Sequence, residues 1–427
     1  MKSGIKIIHW IIFLWLALLI LEYELIVGYI SLTFDFILLL IDDFSSALSV
    51  MNFGFADASI STILFILLLP IILIIRKRLR FLQSKLNFSF AFLVVICFVL
   101  LFAPIITNEN PEFSKNMAVT KLLPPLSLVK ELQLKKSEEN NLSQADIFRI
   151  KSEQIIKPQF NDNIILTDSV ILSDPVIYFQ KSRRIEIEKS LLNSKAGISL
   201  VNSKFYLLGT DEFGRDLFSR LIYGTRISIT VGLGAVIVAF FIGIIFGFIA
   251  GYRGGFIDIS FNRFTEMFLA FPVIYLVILI LALFGSSIFS VIIVLGISGW
   301  MSLFKIVKSE VLSIKQKDYF STAELVGLSK LQLLRKEVLP VMLTPVLVNL
   351  IFLFSNVILA EAALSYLGLG TGNSYPSWGS MISSGQEYIT KAWWLIAFPG
   401  FVLVFTLFTF NSSGKILGKK FNPLLRK

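Results

Sequence analysis

Along this chain, uncharged or nearly uncharged apolar runs close to membrane length recur between short polar segments. They fall at about 7–21, 58–75, 88–106, 227–250, 267–284, 285–304, 341–360 and 392–410. A helical crossing of a bilayer takes about 20 apolar residues, whereas strands of a membrane barrel alternate apolar and polar positions. The pattern predicts an all-α polytopic membrane protein with about eight transmembrane helices. The stretch 25–41 is apolar as well, but Asp35 interrupts it, which predicts an interfacial or re-entrant segment there.

Between the sixth and seventh runs the pattern changes. Residues 317–340, "KDYFSTAELVGLSKLQLLRKEVLP", carry charges at seven of 24 positions. Each charge costs roughly 2.5–3.5 kcal/mol at a bilayer centre, and each large apolar residue returns only about 0.3–0.6. The segment cannot cross. Yet Phe320, Ala323, Gly327, Leu331, Leu334 and Val338 recur at spacings of three and four, one face of a helix. Gly327 is expected to split it into two short helices, and Pro340 to end the second and open the next span. A helix lying on the membrane surface fits the periodicity. A docking element for a cytoplasmic partner fits it too, and the glycine break favours the docking element.

The segment 107–205 is rich in Lys, Glu, Asn and Ser, with strand-like stretches such as "NIILTDSVILSDP". A poorly ordered insertion and a small extracytoplasmic domain are both compatible with it. Within the spans, Gly243, Gly247 and Gly251 share one helix face, where small residues let another helix approach closely. Pro272 and Pro399 are expected to kink their helices.

Composition supports the membrane reading: 55% of residues are hydrophobic and 16% charged. The net charge of +10 does not point to nucleic acid, because the basic residues sit beside spans. Arg76, Lys77, Arg78, Arg80 and Lys85 form one cluster, and Lys415, Lys419, Lys420, Arg426 and Lys427 another. Lys2 and Lys6 precede the first run, and the connection 22–57 has acidic residues but no Lys or Arg. Basic segments stay in the cytoplasm. That rule places both termini, 251–266 and 305–340 inside, and 107–226 and 361–391 outside. The first run resembles a signal peptide but lacks a small-residue cleavage site, so it is expected to be an anchor.

Chemistry is sparse. The single cysteine, Cys97, excludes an intrachain disulfide, and the single histidine, His9, excludes an H-E-x-x-H metal site. "NSSGKILGKK" lacks the remainder of a phosphate-binding loop, and no G-x-S-x-G occurs. No catalytic residue, bound cofactor or metal is expected, and a membrane-embedded enzyme lacks a catalytic set. A self-sufficient secondary transporter or channel would show ionisable groups within spans and an inverted repeat. Here Glu266 and Glu361 lie only at span edges, and no repeat is evident. Glu361 is a candidate for a cavity-facing or an outer-interface residue. In "GTDEFGRD", Thr210 or Asp211 is placed to cap a short helix, and Asp211 and Arg215 to pair at i, i+4. With Asp216, they are candidates either for an outer-face turn or for a place on a solute path.

A family resemblance is carried by several motifs in order. Ser321-Thr322-Ala323, Gly327 and Leu339-Pro340 resemble the degenerate E-A-A…G…L-P signature of bacterial ABC importer permeases. "LGTDEFGRDLFSRLIYGTRISITVG" from Leu208, "GYRGGFID" from Gly251, "AFP" at 270–272, "ALSYLGLG" from Ala363, "PSWGSMISSG" from Pro376 and "FAP" at 102–104 narrow the likeness. The chain resembles the C-type permease subunits of dipeptide, oligopeptide and nickel importers over about 88–106 and 206–427. The resemblance implies a first core helix with an extracytoplasmic loop, 86–205, and a permease core, 206–427, six helices in all with the first; the chain departs from the family in an N-terminal extension, 1–85, expected to add two helices, and in a loop longer than the family needs. In that family the cytoplasmic segment, here 305–340, couples to an ATPase, through Ser321, Thr322, Ala323, Gly327, Leu339 and Pro340. Ser321, Thr322 and Glu337 depart from the usual residues. It also implies a second, B-type permease, one or two ATPase subunits holding ATP–Mg, an extracytoplasmic solute-binding protein, and residence in the bacterial inner membrane.

Overall fold

The computed structural model describes residues 6–75, 87–107, 109–135, 144–156, 164–181, 183–192, 201–270, 272–370 and 375–421. The basic cluster at 76–85, Lys2, Phe271, Arg426 and Lys427 lie outside them. The chain forms two compact units, Met1–Arg226 with Ser384–Pro399, and Ile227–Ser383 with Gly400–Lys427.

In the first unit, α1 (Ile7–Leu21) is followed after one residue by α2 (Tyr23–Asp42). Helical hydrogen bonds continue on both sides of Glu22, whose ψ of 28° bends the path. The indole of Trp10 donates to the Ala91 carbonyl at 3.1 Å, and the Tyr29 hydroxyl to that of Pro104 at 3.0 Å. Both acceptors lie on α5 (Phe88–Ile106), so α1 and α2 climb α5 in its own direction. Antiparallel to them runs α4 (Phe53–Ile75), after the short α3 (Phe44–Val50). Trp15 donates to the Phe65 carbonyl of α4 at 2.8 Å.

Here the sequence expectation needs correction. The stretch 25–41 is not interrupted at Asp35. It belongs to a 20-residue helix long and apolar enough to cross a membrane, whereas α1, at 15 residues, is shorter than that test. Asp35 does not break the helix because Lys151, from the distant insertion, pairs with it and also bonds Ser31 at 3.0 Å. Among the described residues seven helices meet the length and composition of a crossing, or eight if one bent pair counts as a span. The chain is thus a helical, multi-pass membrane protein.

Within 107–205 the described residues are ordered. After α6 (Met117–Thr120) come β1 (Ser127–Gln133), α7 (Gln144–Ile156), β2 (Ile164–Thr167), β3 (Ser169–Ile171), β4 (Val176–Gln180), β5 (Arg183–Ile187) and β6 (Val201–Tyr206). They form two antiparallel three-stranded sheets, β2-β1-β6 and β3-β4-β5. Lys130 of β1 stands between Thr167 and Ser203. Val119, Val129, Leu166 and Tyr206 close one small core, and Leu132, Val176, Tyr178 and Leu192 another. The expected strand-like stretch becomes β2 and β3. Helix α7 packs on the N-terminal extension through Phe148, whose ring meets Phe36 and Phe55. Asp57 of α4 and Arg226 complete the joint with a bidentate pair at 2.5 and 2.6 Å.

The remaining helices are α8 (Leu217–Arg253), α9 (Gly255–Ala270), α10 (Val273–Phe284), α11 (Ile288–Lys315), α12 (Asp318–Leu325), α13 (Lys330–Leu333), α14 (Leu339–Tyr366), α15 (Trp378–Gly385) and α16 (Trp394–Phe421). The expected span at 267–284 is instead a pair, α9 and α10, bent by 85° about Pro272. The connection expected at 251–266 is mostly helix α9, whose Asp258, Arg263 and Glu266 had broken the apolar run. Pro399 lies inside the continuous α16.

In the second unit, α8 and α11 meet along the glycine face. A Cβ on Gly243, Gly247 or Gly251 would stand 2.8, 2.7 and 2.9 Å from Leu303, Val307 and Val311. Real Cβ contacts essentially never come that close, so only glycine lets these backbones touch.

Candidate functional site

The segment after α11 is built by local sequence and footed on a buried cluster. Lys315 closes α11 by donating to the Tyr252 carbonyl at 2.7 Å, its ammonium 5.5 Å from the Tyr252 ring. Helix α12 opens with Asp318, an acid where the helix dipole favours one. Its end is a glycine cap. Val326 donates to the Thr322 carbonyl at 3.0 Å, Leu328 to that of Ala323 at 3.3 Å, and Gly327 takes φ of +86°. That left-handed conformation strains any residue with a Cβ. Ser329 and Gln332 then make a reciprocal capping box for α13: the Ser329 N–H donates to Gln332 Oε1 at 2.8 Å, and the Gln332 N–H to Ser329 Oγ at 3.3 Å. A widened π turn, Leu334–Val338, leads into α14, with Pro340 in its first turn, where a missing N–H costs nothing.

Phe320, Leu333 and Val338 are buried against Val307, Val311, Ile314 and Met342, with Ala323, Leu328, Leu334 and Leu339 packed at the margin. At the tip the situation reverses. Leu325 and Val326 are 88% and 78% exposed, and a Cβ on Gly327 would meet nothing within 4 Å. Leu325 and Val326 thus form a bare apolar pair at the end of a polar, well-capped turn.

The expected residues separate accordingly. Phe320 and Val338 do face the core, whereas Gly327, expected on the same face, is the exposed turn itself. Thr322 and Pro340 are exposed, and Ala323 and Leu339 half-buried. The side chains of Ser321 and Leu331 lie outside the described residues. Sequence reasoning missed Leu333, Leu325 and Val326. The Ser-x-x-Gln spacing at 329–332 was a readable signal for the second helix start; nothing local marks which leucine points outward.

A second polar constellation surrounds the start of α8. Asp211 accepts from the N–H groups of Phe213 and Arg215, both at 2.9 Å, and from Arg215 Nε at 2.6 Å, so the expected pair forms inside a tight turn. Arg215 and Arg220 converge on Glu112 at 2.5 and 2.7 Å, and Lys204 pairs with Glu109 at 2.7 Å. The cap of α8 is Asp216, rather than Thr210 or Asp211. Its carboxylate accepts from the Ser219 N–H at 2.7 Å and hydroxyl at 2.6 Å. Thr210 is buried and holds the turn elsewhere, accepting from Leu123 N–H at 2.8 Å, while its carbonyl takes the Trp394 indole at 3.2 Å. Burial, and then the charge of Glu109, pushes the Asp216 carboxyl up to about 6. Burial and Asp211 likewise raise Glu212. Among the described residues no group of three or more His, Cys, Asp and Glu side chains could hold a metal ion.

Glu361 is fully buried near the end of α14, with Ser365 donating to Oε1 at 2.7 Å and Ser228 to Oε2 at 3.0 Å. Hydroxyl donors brought by folding make this burial tolerable.

Comparison with known proteins fits this geometry. Residues 243–427, which include the glycine face, the capped turn and Glu361, match the family described as binding-protein-dependent transport system inner membrane component. The dipeptide transport permease DppC of Bacillus subtilis is 36% identical over 230 residues, 54% of this chain and 72% of the relative. The oligopeptide transport permease OppC of Haemophilus influenzae is 38% identical over 219 residues, 51% of this chain and 70% of the relative. The di/tripeptide transport permease DppC of Pseudomonas aeruginosa is 34% identical over 221 residues, 52% and 73%. Helical spans, a capped turn between α11 and α14, and this likeness converge: the chain belongs to the inner membrane permeases of binding-protein-dependent ABC importers, in the DppC/OppC branch.

Proposed function

We propose that this chain is one transmembrane half of a bacterial importer for di- or oligopeptides or related small solutes. Names and likeness of the relatives support that solute class. The solute moves by alternating access through a pathway shared with a B-type permease, received from a solute-binding protein on the outer face. Energy comes from one or two cytoplasmic ATPase subunits, which carry the ATP–Mg. This chain binds no nucleotide and catalyses nothing. Both termini and the segment 305–340 face the cytoplasm, and the two-sheet insertion faces outward.

The observation that carries the reading is the tip of the coupling turn. Leu325 and Val326 stand bare on either side of the point where α12 ends, footed on the Phe320–Leu333–Val338 cluster. An apolar knob on a rigid foot suits a groove on a partner subunit, and its foot reaches α11 and α14 directly. The test is uptake by reconstituted importer carrying Leu325→Asp with Val326→Asp. ATP-dependent uptake is expected to fall by at least about tenfold, the weight of a buried contact pair, and the ATPase to co-purify poorly. Undiminished, ATP-dependent uptake would show the assignment wrong; uptake by the isolated chain without ATPase would replace the importer with a secondary transporter.

A further inference from the structure

A carboxylate placed without a countercharge inside a membrane protein is costly unless hydrogen bonds compensate. Among the described residues Glu361 has no countercharge, and its partners are hydroxyls. Ser365 comes from its own helix, one turn on, and Ser228 from α8. Ser377, directly before α15, is a third hydroxyl on the same carboxyl. Glu361, Ser228 and Ser377 are fully buried, and Ser365 nearly so. The Trp378 N–H, beside a fully buried indole, donates to Ser228 Oγ at 3.3 Å. A Cβ on Gly379 would lie 2.1 Å from the Ala362 carbonyl, so the start of α15 rests on the backbone of α14 one residue beyond Glu361. Three separate chain segments therefore meet at one carboxyl.

The position along α14 gives the joint its meaning. The helix begins at Leu339, where the coupling turn ends, and runs unbroken to Tyr366. From Pro340 to Glu361 an α-helix rises roughly 30 Å, about the thickness of a bilayer core. One rod thus has the coupling turn at one end and the carboxyl joint at the other.

We propose that Glu361 is a positioning residue for transport: its joint ties α8, α14 and the Ser377–Trp378 segment so that displacement entering at the coupling turn is delivered at the far end of the span. This rests on the function proposed above. Apolar side chains would hold the same three segments at lower cost. Hydroxyl–carboxylate bonds differ in being directional and exchangeable, which lets the segments keep a common register through a rearrangement of partners.

The experiment compares Glu361→Ala, Glu361→Gln, Ser228→Ala and Ser377→Ala in the complete importer, reconstituted in vesicles, measuring solute uptake and ATP hydrolysis together. Glu361→Ala is expected to lower solute moved per ATP about tenfold, a usual size for coupling between sites, with hydrolysis and ATPase association retained. Glu361→Gln, which keeps an acceptor and the shape, should recover most of the ratio. Each serine variant should lower it about two- to threefold on the same scale. Should Glu361→Ala fail to insert, the serine variants, which remove one hydroxyl each, decide. A ratio at the parental value in Glu361→Ala, or in both serine variants where Glu361→Ala does not insert, overturns the proposal, as does a parallel fall of uptake and hydrolysis in every variant that inserts. Failure of the underlying reading looks different: the unaltered protein itself would then show no ATP-dependent uptake.

Discussion

The two ends of the α14 rod break the burial rule in opposite senses. At one end Leu325 and Val326 are apolar and exposed; at the other Glu361 is acidic and fully buried. A lone exposed leucine is ordinary. Two adjacent ones on a turn held by a glycine cap and a capping box are not, because the local structure forces them outward. The buried acid is settled inside its own unit by Ser228, Ser365 and Ser377. The exposed pair has no such cover among the described residues, and the buried end is finished already. Substitutions at the tip should therefore change function without changing stability, and substitutions at the joint should change both.

The largest effect is expected at the tip turn itself. Gly327→Leu forces a branched side chain into φ of +86°, a strain the exposed turn can relieve by opening locally rather than by unfolding the protein, and so displaces Leu325 and Val326. ATP-dependent uptake should fall at least as far as for the Leu325/Val326 pair, while the thermal midpoint of the detergent-solubilised protein moves little. A large drop in midpoint would mean that the tip is part of the fold and would break the comparison.

Next in size is the footing between the two ends. Gly247→Leu would drive a side chain into Val307 and the Phe304 carbonyl, which lie 2.7 and 2.9 Å from even its Cβ. Overpacking of this kind costs typically about 1–3 kcal/mol, so a lowered midpoint is expected along with lowered uptake. Since Val307 and Val311 belong to the same cluster as Phe320 and Leu333, the damage should also loosen the coupling turn, read as faster proteolysis near residue 326 in membranes. Unchanged proteolysis would separate the glycine face from the turn.

At the buried end, Ser228→Ala strips one donor from Glu361 Oε2 and the acceptor of the Trp378 N–H. An unsatisfied buried polar group costs about 1–3 kcal/mol, so the midpoint should drop, in contrast to Gly327→Leu. A midpoint equal to the parent's would mean that the joint carries no stability and would erase the contrast.

Much of this was legible in the chain, and the remainder was hidden for a common reason. The spans at 58–75 and 88–106 and the break at Gly327 follow from local rules: apolar length, and a residue free to take positive φ. What escaped depends on distant partners. Asp35 read as an interruption because Lys151 neutralises it from a different part of the fold. The full burial of Glu361 at the end of its span was hidden because Ser228 lies 133 positions away. Leu325 and Leu333 are the same residue type on one short amphipathic segment, and only the cap geometry decides that one points out and the other in. The path of α2, the two sheets and the hold of α7 on Phe36 and Phe55 likewise rest on long-range packing that periodicity does not encode.

The smallest predicted effect concerns a buried acid whose countercharge does not offset its burial. Around the start of α8, Arg215, Arg220 and Lys204 face Asp211, Glu112 and Glu109, so most charge there is paired. At Asp216 burial, then Glu109, outweighs the Ser219 hydrogen bonds and the Lys204 charge and lifts the carboxyl from near 4 to about 6. A carboxyl raised in the folded state holds its proton more tightly there than in the unfolded chain. Its stabilising share is therefore complete below the unfolded value and is lost as pH rises through about 6. The thermal midpoint should carry a downward component between about pH 4 and pH 6 that Asp216→Asn removes, because Asn caps the Ser219 N–H equally well without titrating. Unfolding curves of both proteins across that window decide it. Equal slopes would mean that Asp216 does not hold its proton more tightly in the folded state, placing it with the paired acids and leaving Glu361 as the buried acid answered by hydroxyls.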